Sequence, residues 1–182
     1  MSAIDNQPDN KNFLSPLGYR FFIKKTPNVN WFVQSVELPS IQLARIDIQN
    51  PFIRFPVGGD HITIGELQIS FRVDEDMSNY NEINNWMRAI GFPDNFEQYK
   101  SIAPVSRNGI SGGSEIGTGE GIYSDASLII LTSAKNPNIE IKFFDLFPTG
   151  LSSLKFDTEL TNINYLQATA SFACRKFDVD LI

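Results

Sequence analysis

ELQISFRVDEDMSNYNEINNWMRAIGFPDNFEQY, residues Glu66 to Tyr99, is the stretch on which the fold turns. Leu67, Ile69, Phe71 and Val73 alternate with Gln68, Ser70 and Arg72, the two-residue period of a half-buried β-strand. Asp74, Glu75 and Asp76 end that pattern. Asn79 stands where an N-cap belongs, with Glu82 three residues on, the spacing of a capping box. Ile83, Trp86, Met87 and Ile90 follow at i, i+3, i+4 and i+7 and share one helical face, so they read as anchors of the helix on a sheet. Gly91 suits the position after the last turn and Pro93 prevents continuation. The spacing predicts a helix over about 79–91.

Strand patterns surround this unit on both sides. Tyr19, Phe21 and Ile23 alternate with Arg20, Phe22 and Lys24, and a Thr26-Pro27-Asn28 turn leads to a second strand over Trp31 to Glu37. Leu43 to Ile48 is a further strand. Pro51 and Pro56 interrupt the apolar run Phe52-Ile53-Arg54-Phe55, and Gly58-Gly59-Asp60 reads as a turn. The span 41–65 is thus a long, irregular hairpin with one arm at an edge or outside the sheet, because prolines cannot donate to a ladder. Beyond the helix, 104–121 holds six of the 12 glycines and is expected to be a flexible loop. The runs 126–131 and 139–144 should pair across an Asn136-Pro137-Asn138 turn, and Phe147-Pro148-Thr149-Gly150 reads as a corner. Leu154 and Phe156 suggest a short strand. Tyr165 to Phe177 suggests a long one, with Leu166, Ala168, Ala170, Phe172 and Cys174 facing inward. The expectation is a mainly β chain: an antiparallel sandwich or open barrel with one flanking helix, a mobile arm over 1–12 and a single domain over 13–182.

Composition narrows the function. The chain has 182 residues, 42% of them hydrophobic, which suffices for one domain with a substantial core. No apolar run approaches the roughly 18–20 residues that span a bilayer, and MSAIDNQPDNKN lacks the apolar segment of a signal peptide, so no membrane partner is expected. Fifteen Lys and Arg against 21 Asp and Glu give a net charge of −6, which offers no basic surface for neutralising DNA phosphates. Cys174 is the single cysteine, excluding an internal disulfide.

No set of side chains converges on catalysis. His61, the single histidine, lies in the Gly-Gly-Asp segment without a nucleophile motif, and reads as a loop histidine. Asp74, Glu75 and Asp76 lack the spacing of a calcium loop and suit a helix N-terminus. Gly117-Thr118-Gly119-Glu120-Gly121 lacks the following Lys-Ser or Lys-Thr and the helix of a phosphate loop. Cys174 reads as a buried, inert thiol. No enzyme, cofactor or metal is expected.

The order of elements and several phrases resemble the tail-tube family of contractile-tailed, T4-like bacteriophages. They are Phe13-Leu14-Ser15-Pro16-Leu17-Gly18-Tyr19, Ser35-Val36-Glu37-Leu38-Pro39, Ile69 to Asp76 with the Trp86 helix, Phe147 to Ser152, and the strand through Tyr165. Together they cover most of 13–177. The resemblance implies a virion protein of the tail, assembled in the host cytoplasm. Six copies would form rings that stack into the tube through which DNA passes during genome ejection. The partners implied are further copies of the chain and other tube, sheath or baseplate proteins. The alternative is a ring at a tube end, either a baseplate initiator or a terminator. In that family a long hairpin reaches a neighbouring ring or subunit, which would place Phe52, Ile53, Arg54 and Phe55 at an interface. Return of that hairpin onto its own core is the competing reading. A ligand-binding β-sandwich with Tyr19, Trp31 and Phe32 at a carbohydrate site is a further alternative.

Overall fold

The computed structural model describes residues 12–91, 121–157 and 165–182. The mobile arm and the glycine-rich loop expected over 1–12 and 104–121, together with the Pro93 stop, lie outside the described residues except for Asn12 and Gly121. Nine strands and two helices are formed among the described residues. They are β1 (Tyr19–Ile23), α1 (Pro27–Phe32), β2 (Val33–Glu37), β3 (Ile41–Gln49), β4 (Arg54–Ile64), β5 (Leu67–Arg72), α2 (Ser78–Gly91), β6 (Ser124–Leu131), β7 (Pro137–Leu151), β8 (Gln167–Ala173) and β9 (Lys176–Leu181).

Seven strands make one antiparallel sheet in the order β1-β6-β7-β8-β5-β2, with β9 also on β7. It does not close into a barrel. β7 is long enough to serve two halves. Ile139 to Phe144 pair with β9, and Phe147 to Leu151 pair with β8. Between them Asp145 adopts φ 54°, a left-handed conformation unusual outside glycine, and the ladder to β6 shifts register there. The expected corner at 147–150 is therefore at Asp145, and Pro148 continues the strand opposite Phe172. The strand expected over Tyr165 to Phe177 breaks opposite the same point, at Cys174 and Arg175, where the Arg175 N–H donates to the Phe144 carbonyl at 3.1 Å.

The bend folds the two halves over one core. Phe21, Ile23, Leu128, Ile141 and Phe143 come from one half and Leu67, Ile69, Phe71, Ala170 and Phe172 from the other, all buried in a single cluster. β5 shows the alternation directly, with Leu67, Ile69 and Phe71 fully buried. On β8 the buried residues are Ala168, Ala170 and Phe172, while Leu166 and Cys174 are half-buried at the ends.

Four local expectations need correction. Trp31 and Phe32 belong to α1, not to a strand: Pro27 at the first turn favours helix, and β2 begins only at Val33. The 58–60 turn is part of β4, and the reversal of the hairpin falls at 50–53. The β6–β7 turn spans 132–136, with Lys135 at φ 62°, and Pro137 already pairs with Leu131. Leu154 and Phe156 form no strand; Leu154 packs against the core and Phe156 is exposed.

The start of α2 also differs from a capping box. Asp74 accepts from the Asn79 N–H at 3.3 Å, and the fully buried Asn79 side chain donates to the Arg72 carbonyl at 2.7 Å while accepting from Tyr80 N–H. Asn79 thus ties the end of β5 to the first turn of the helix. Glu82 faces the neighbouring helix instead. It accepts from the backbone N–H groups of Asn28 and Val29 at 3.1 and 3.4 Å and from the Asn28 amide at 2.8 Å. It caps α1 from outside, since Thr26 makes no side-chain cap bond. A carboxylate there also meets the positive end of the helix dipole. Gly91 is the last helical residue and has no positive φ.

Two consequences can be measured. Trp86 is 3% exposed, donates its indole N–H to the Ile122 carbonyl at 2.9 Å and lies 6.0 Å from the Phe172 ring. Trp86→Ala should cost about 3–5 kcal/mol in urea unfolding followed by circular dichroism. Trp86→Phe, which leaves that carbonyl unpaired, should cost about 1–2 kcal/mol.

Burial raises the Glu82 carboxyl pKa above its ordinary value, against the lowering effect of the Val29 and Asn28 hydrogen bonds. A raised folded-state value means the folded protein binds this proton more tightly, so its contribution to stability declines as pH rises through the raised value. Glu82→Gln removes that slope and keeps an acceptor oxygen. Wild type should lose stability relative to Glu82→Gln as pH rises from the ordinary carboxylate range to neutrality. The opposite trend would show that the hydrogen bonds dominate over burial.

Candidate assembly interface

β2 and β5 pair within the sheet, and β3 and β4 continue from them as a separate two-stranded ribbon. The join is tight: the Gly65 N–H donates to the Ser40 carbonyl at 2.8 Å, and a Cβ on Gly65 would lie 2.7 Å from Ser40 Oγ. Every residue of β3 is exposed, and on β4 only Gly59 and Ile64 are half-buried. The ribbon is therefore an arm that stands away from the core.

Its exposed side chains are apolar to an unusual degree. Ile41, Leu43, Ile46, Ile48, Phe52, Ile53, Phe55, Val57 and Ile62 are all exposed, Phe52 almost completely. Phe52 and Ile53 form the tip turn, where the Phe52 N–H donates to Asn50 Oδ1 at 3.4 Å. Arg54 and Phe55 open β4, opposite Gln49 and Ile48. The structure thus brings Phe52, Ile53, Arg54 and Phe55 together at the far end of the arm. His61 lies on β4 beside Asp60, 3.7 Å away, with its side chain exposed.

Ile83, Trp86, Met87 and Ile90 lie at the other extreme. Ile83 and Trp86 are buried, and Met87 and Ile90 are half-buried against the same core, with Ala89 completing the face. Lys25 reaches over Trp86, 5.3 Å from the ring centroid, and donates to the Gly121 carbonyl. That contact and the Glu82 cap were missed from sequence; no short-range spacing signals a pair 54 residues apart.

β1 and β2 end the path of the sheet, and a groove of about 810 Å³ lies where they face one another. Leu17, Tyr19, Phe21, Trp31 and Val33 line it, with Trp31 largely exposed. Arg20, Asn30 and Gln34 supply its polar groups. Tyr19 of β1 and Trp31 of α1 both line it; Phe32 does not. Among the described residues no group of three or more His, Cys, Asp or Glu side chains is placed to hold a metal ion. No described helix is long and apolar enough to cross a membrane.

No family model and no curated protein sequence matches the chain. Solved structures do. The anti-feeding prophage cap, a tube-terminating cap, aligns over 100% of both chains with a TM-score of 0.59 and 13% identity. A chain in the sheath–tube complex of an extracellular contractile injection system aligns over 94% of each chain with a TM-score of 0.55 and 12% identity. The sheath/tube terminator of such a system covers 94% of this chain and 99% of its own, with a TM-score of 0.53 and 14% identity. At these identities the likeness is one of fold: the chain has the fold of tube and cap proteins of contractile injection systems, consistent with the tail-tube family it resembles in sequence. Those neighbours are structural components rather than enzymes.

Cys174 gives a chemical check. It is half-buried beside Arg175, and burial pushes its thiol up rather than down. Its reaction with an aromatic disulfide reagent should have a pH midpoint above that of free cysteine. A midpoint below it would show that Arg175 activates the thiolate.

Proposed function

We propose that this chain is a self-assembling structural subunit of a contractile tail, forming a hexameric ring of the tube that conducts DNA. The observation that carries the reading is the β3–β4 arm. Its nine exposed apolar side chains present on the order of 900 Å² of surface in total, spread over both faces of the arm and comparable with the roughly 800 Å² that one partner buries in a standard interface. The arm adds no net charge, since Arg45 and Arg54 balance Asp47 and Asp60. It can therefore approach another copy of a chain whose net charge is −6 without like-charge repulsion. The fold shared with tube and cap proteins supports the same reading.

In this reading the arm of one copy packs on the next, a head-to-tail contact that closes into a ring when the rotation fits. Among the described residues β1, β2 and β9 each have an edge with no neighbouring strand, and such edges could take strands of neighbouring copies. The acidic balance suits a conduit that DNA passes without sticking. A ring at the tube end is the second reading, supported by the end-to-end likeness to a tube-terminating cap. The two differ in product: a tube subunit gives filaments of stacked rings, an end ring gives single or paired rings by electron microscopy.

Phe52→Asp places a charge on the most exposed apolar side chain of the tip. It should abolish concentration-dependent assembly in sedimentation velocity and leave the circular dichroism spectrum unchanged. Assembly indistinguishable from wild type would remove the arm tip from the interface.

A further inference from the structure

The register of the arm places its apolar side chains on two opposite faces. Near the base the facing pairs are Ile41 with Ile64 and Leu43 with Ile62, both apolar, and the alternate pair Gln42 with Thr63 is polar. Beyond Ala44 the pattern reverses. Arg45 now faces Gly58, Asp47 faces Pro56 and Gln49 faces Arg54, whereas Ile46 faces Val57 and Ile48 faces Phe55. Directly paired residues of an antiparallel ladder share a face, and successive residues alternate. The apolar side therefore uses odd positions of β3 near the base and even positions towards the tip.

The switch falls on a bulge. From Leu43 to Arg45 β3 advances two residues while its partners move four, from Ile62 to Gly58. The two extra residues sit on β4 and preserve alternation, since their number is even. Gly59 confirms the assignment from its own surroundings. A Cβ there would lie 2.9 Å from the Ala44 Cβ and 2.8 Å from the Ala44 carbonyl oxygen, so positions 44 and 59 share a face with Ile46 and Val57. Only glycine fits at that crossing.

We infer that the arm is gripped on both sides by different copies of the chain, one on the base patch of Ile41, Leu43 and Ile62 and another on the opposite tip patch of Ile46, Ile48, Phe55 and Val57. This rests on the self-assembly reading above. A partner lying on one face covers one patch and leaves the other in water; two partners cover both. The area divides accordingly: each patch presents roughly 300–400 Å², well under the roughly 800 Å² per partner of a standard interface, so neither contact alone makes a stable assembly. One arm would thus join three chains and couple two association steps.

The test compares two double variants of the full chain with wild type by sedimentation velocity and electron microscopy. Leu43→Asp with Ile62→Asp charges the base patch; Ile46→Asp with Val57→Asp charges the tip patch. All four side chains are exposed, and retention of the fold is read from circular dichroism and Trp86 fluorescence. If either Asp pair disturbs the ribbon, the corresponding Ser pairs replace it. Each variant should lose one association step and stop at a species that differs from the other's in size. Arrest of both at the same species, or wild-type assembly by either, would show a single gripping surface and overturn the inference while the self-assembly reading stands. A wild type that stays monomeric at every concentration overturns both.

Discussion

Everything in this fold depends on β7 belonging to two sheet halves at once. A flat seven-stranded sheet would leave one face of Phe71, Phe143 and Phe172 in water. Bending a single strand at Asp145, with its partners broken at Cys174 and Arg175, turns the halves onto each other and buries those rings together. The ion pair between Arg175 and Asp145, at 2.9 Å, sits at the bend but is largely solvated, and such pairs contribute about 0–1 kcal/mol. The bend is held by the apolar surface it buries and by the continuity of the strand. Asp145 keeps a strained backbone because the ladders on both sides of it leave no alternative.

The helices complete what the bend begins. α2 caps the core through Ile83 and Trp86, and Trp86 reaches from the helix to Phe172 and to the Ile122 carbonyl. α1 is short and has weak signals of its own. It is held by a carboxylate on α2, so the two helices form one unit. The strand pair β2–β5, anchored by this body, is the root from which the arm projects. In the proposed assembly a rigid root would hold the arm's apolar surface in one orientation for its partners rather than leave it to nonspecific aggregation.

The body and the arm thus divide the work. The body's chemistry is packing; its thiol is pushed towards the unreactive form and its polar side chains serve caps and turns. The arm carries the exposed apolar surface on which the proposed assembly rests. That division accords with a fold shared by tube and cap proteins, whose identity with this chain is only 12–14% in the structures compared.

Periodicity alone determined the elements with strong patterns: β1, β3, β5, the β6–β7 pair and the buried face of α2, because alternation and the 3.6-residue stripe are local consequences of burial. It also marked 41–65 as a hairpin and Phe52, Ile53 and Phe55 as apolar side chains costly to leave in water. Tertiary structure decided what local pattern cannot encode. Trp31 and Phe32 have β-like side chains yet lie in a helix held by Glu82, a residue distant in sequence. Gly58 and Gly59 look like a turn, but Gly59 exists to let a strand pass close to Ala44. The corner fell at Asp145 rather than at Phe147 to Gly150, because the positions where β8 and β9 grip β7 fix the bend. That the arm leaves the core instead of returning to it was open in the sequence. The exposure of β3 and β4 and their pairing apart from the main sheet decided it, and the ladder register put the two apolar patches on opposite faces, since facing pairs are set by long-range hydrogen bonding that no single strand contains.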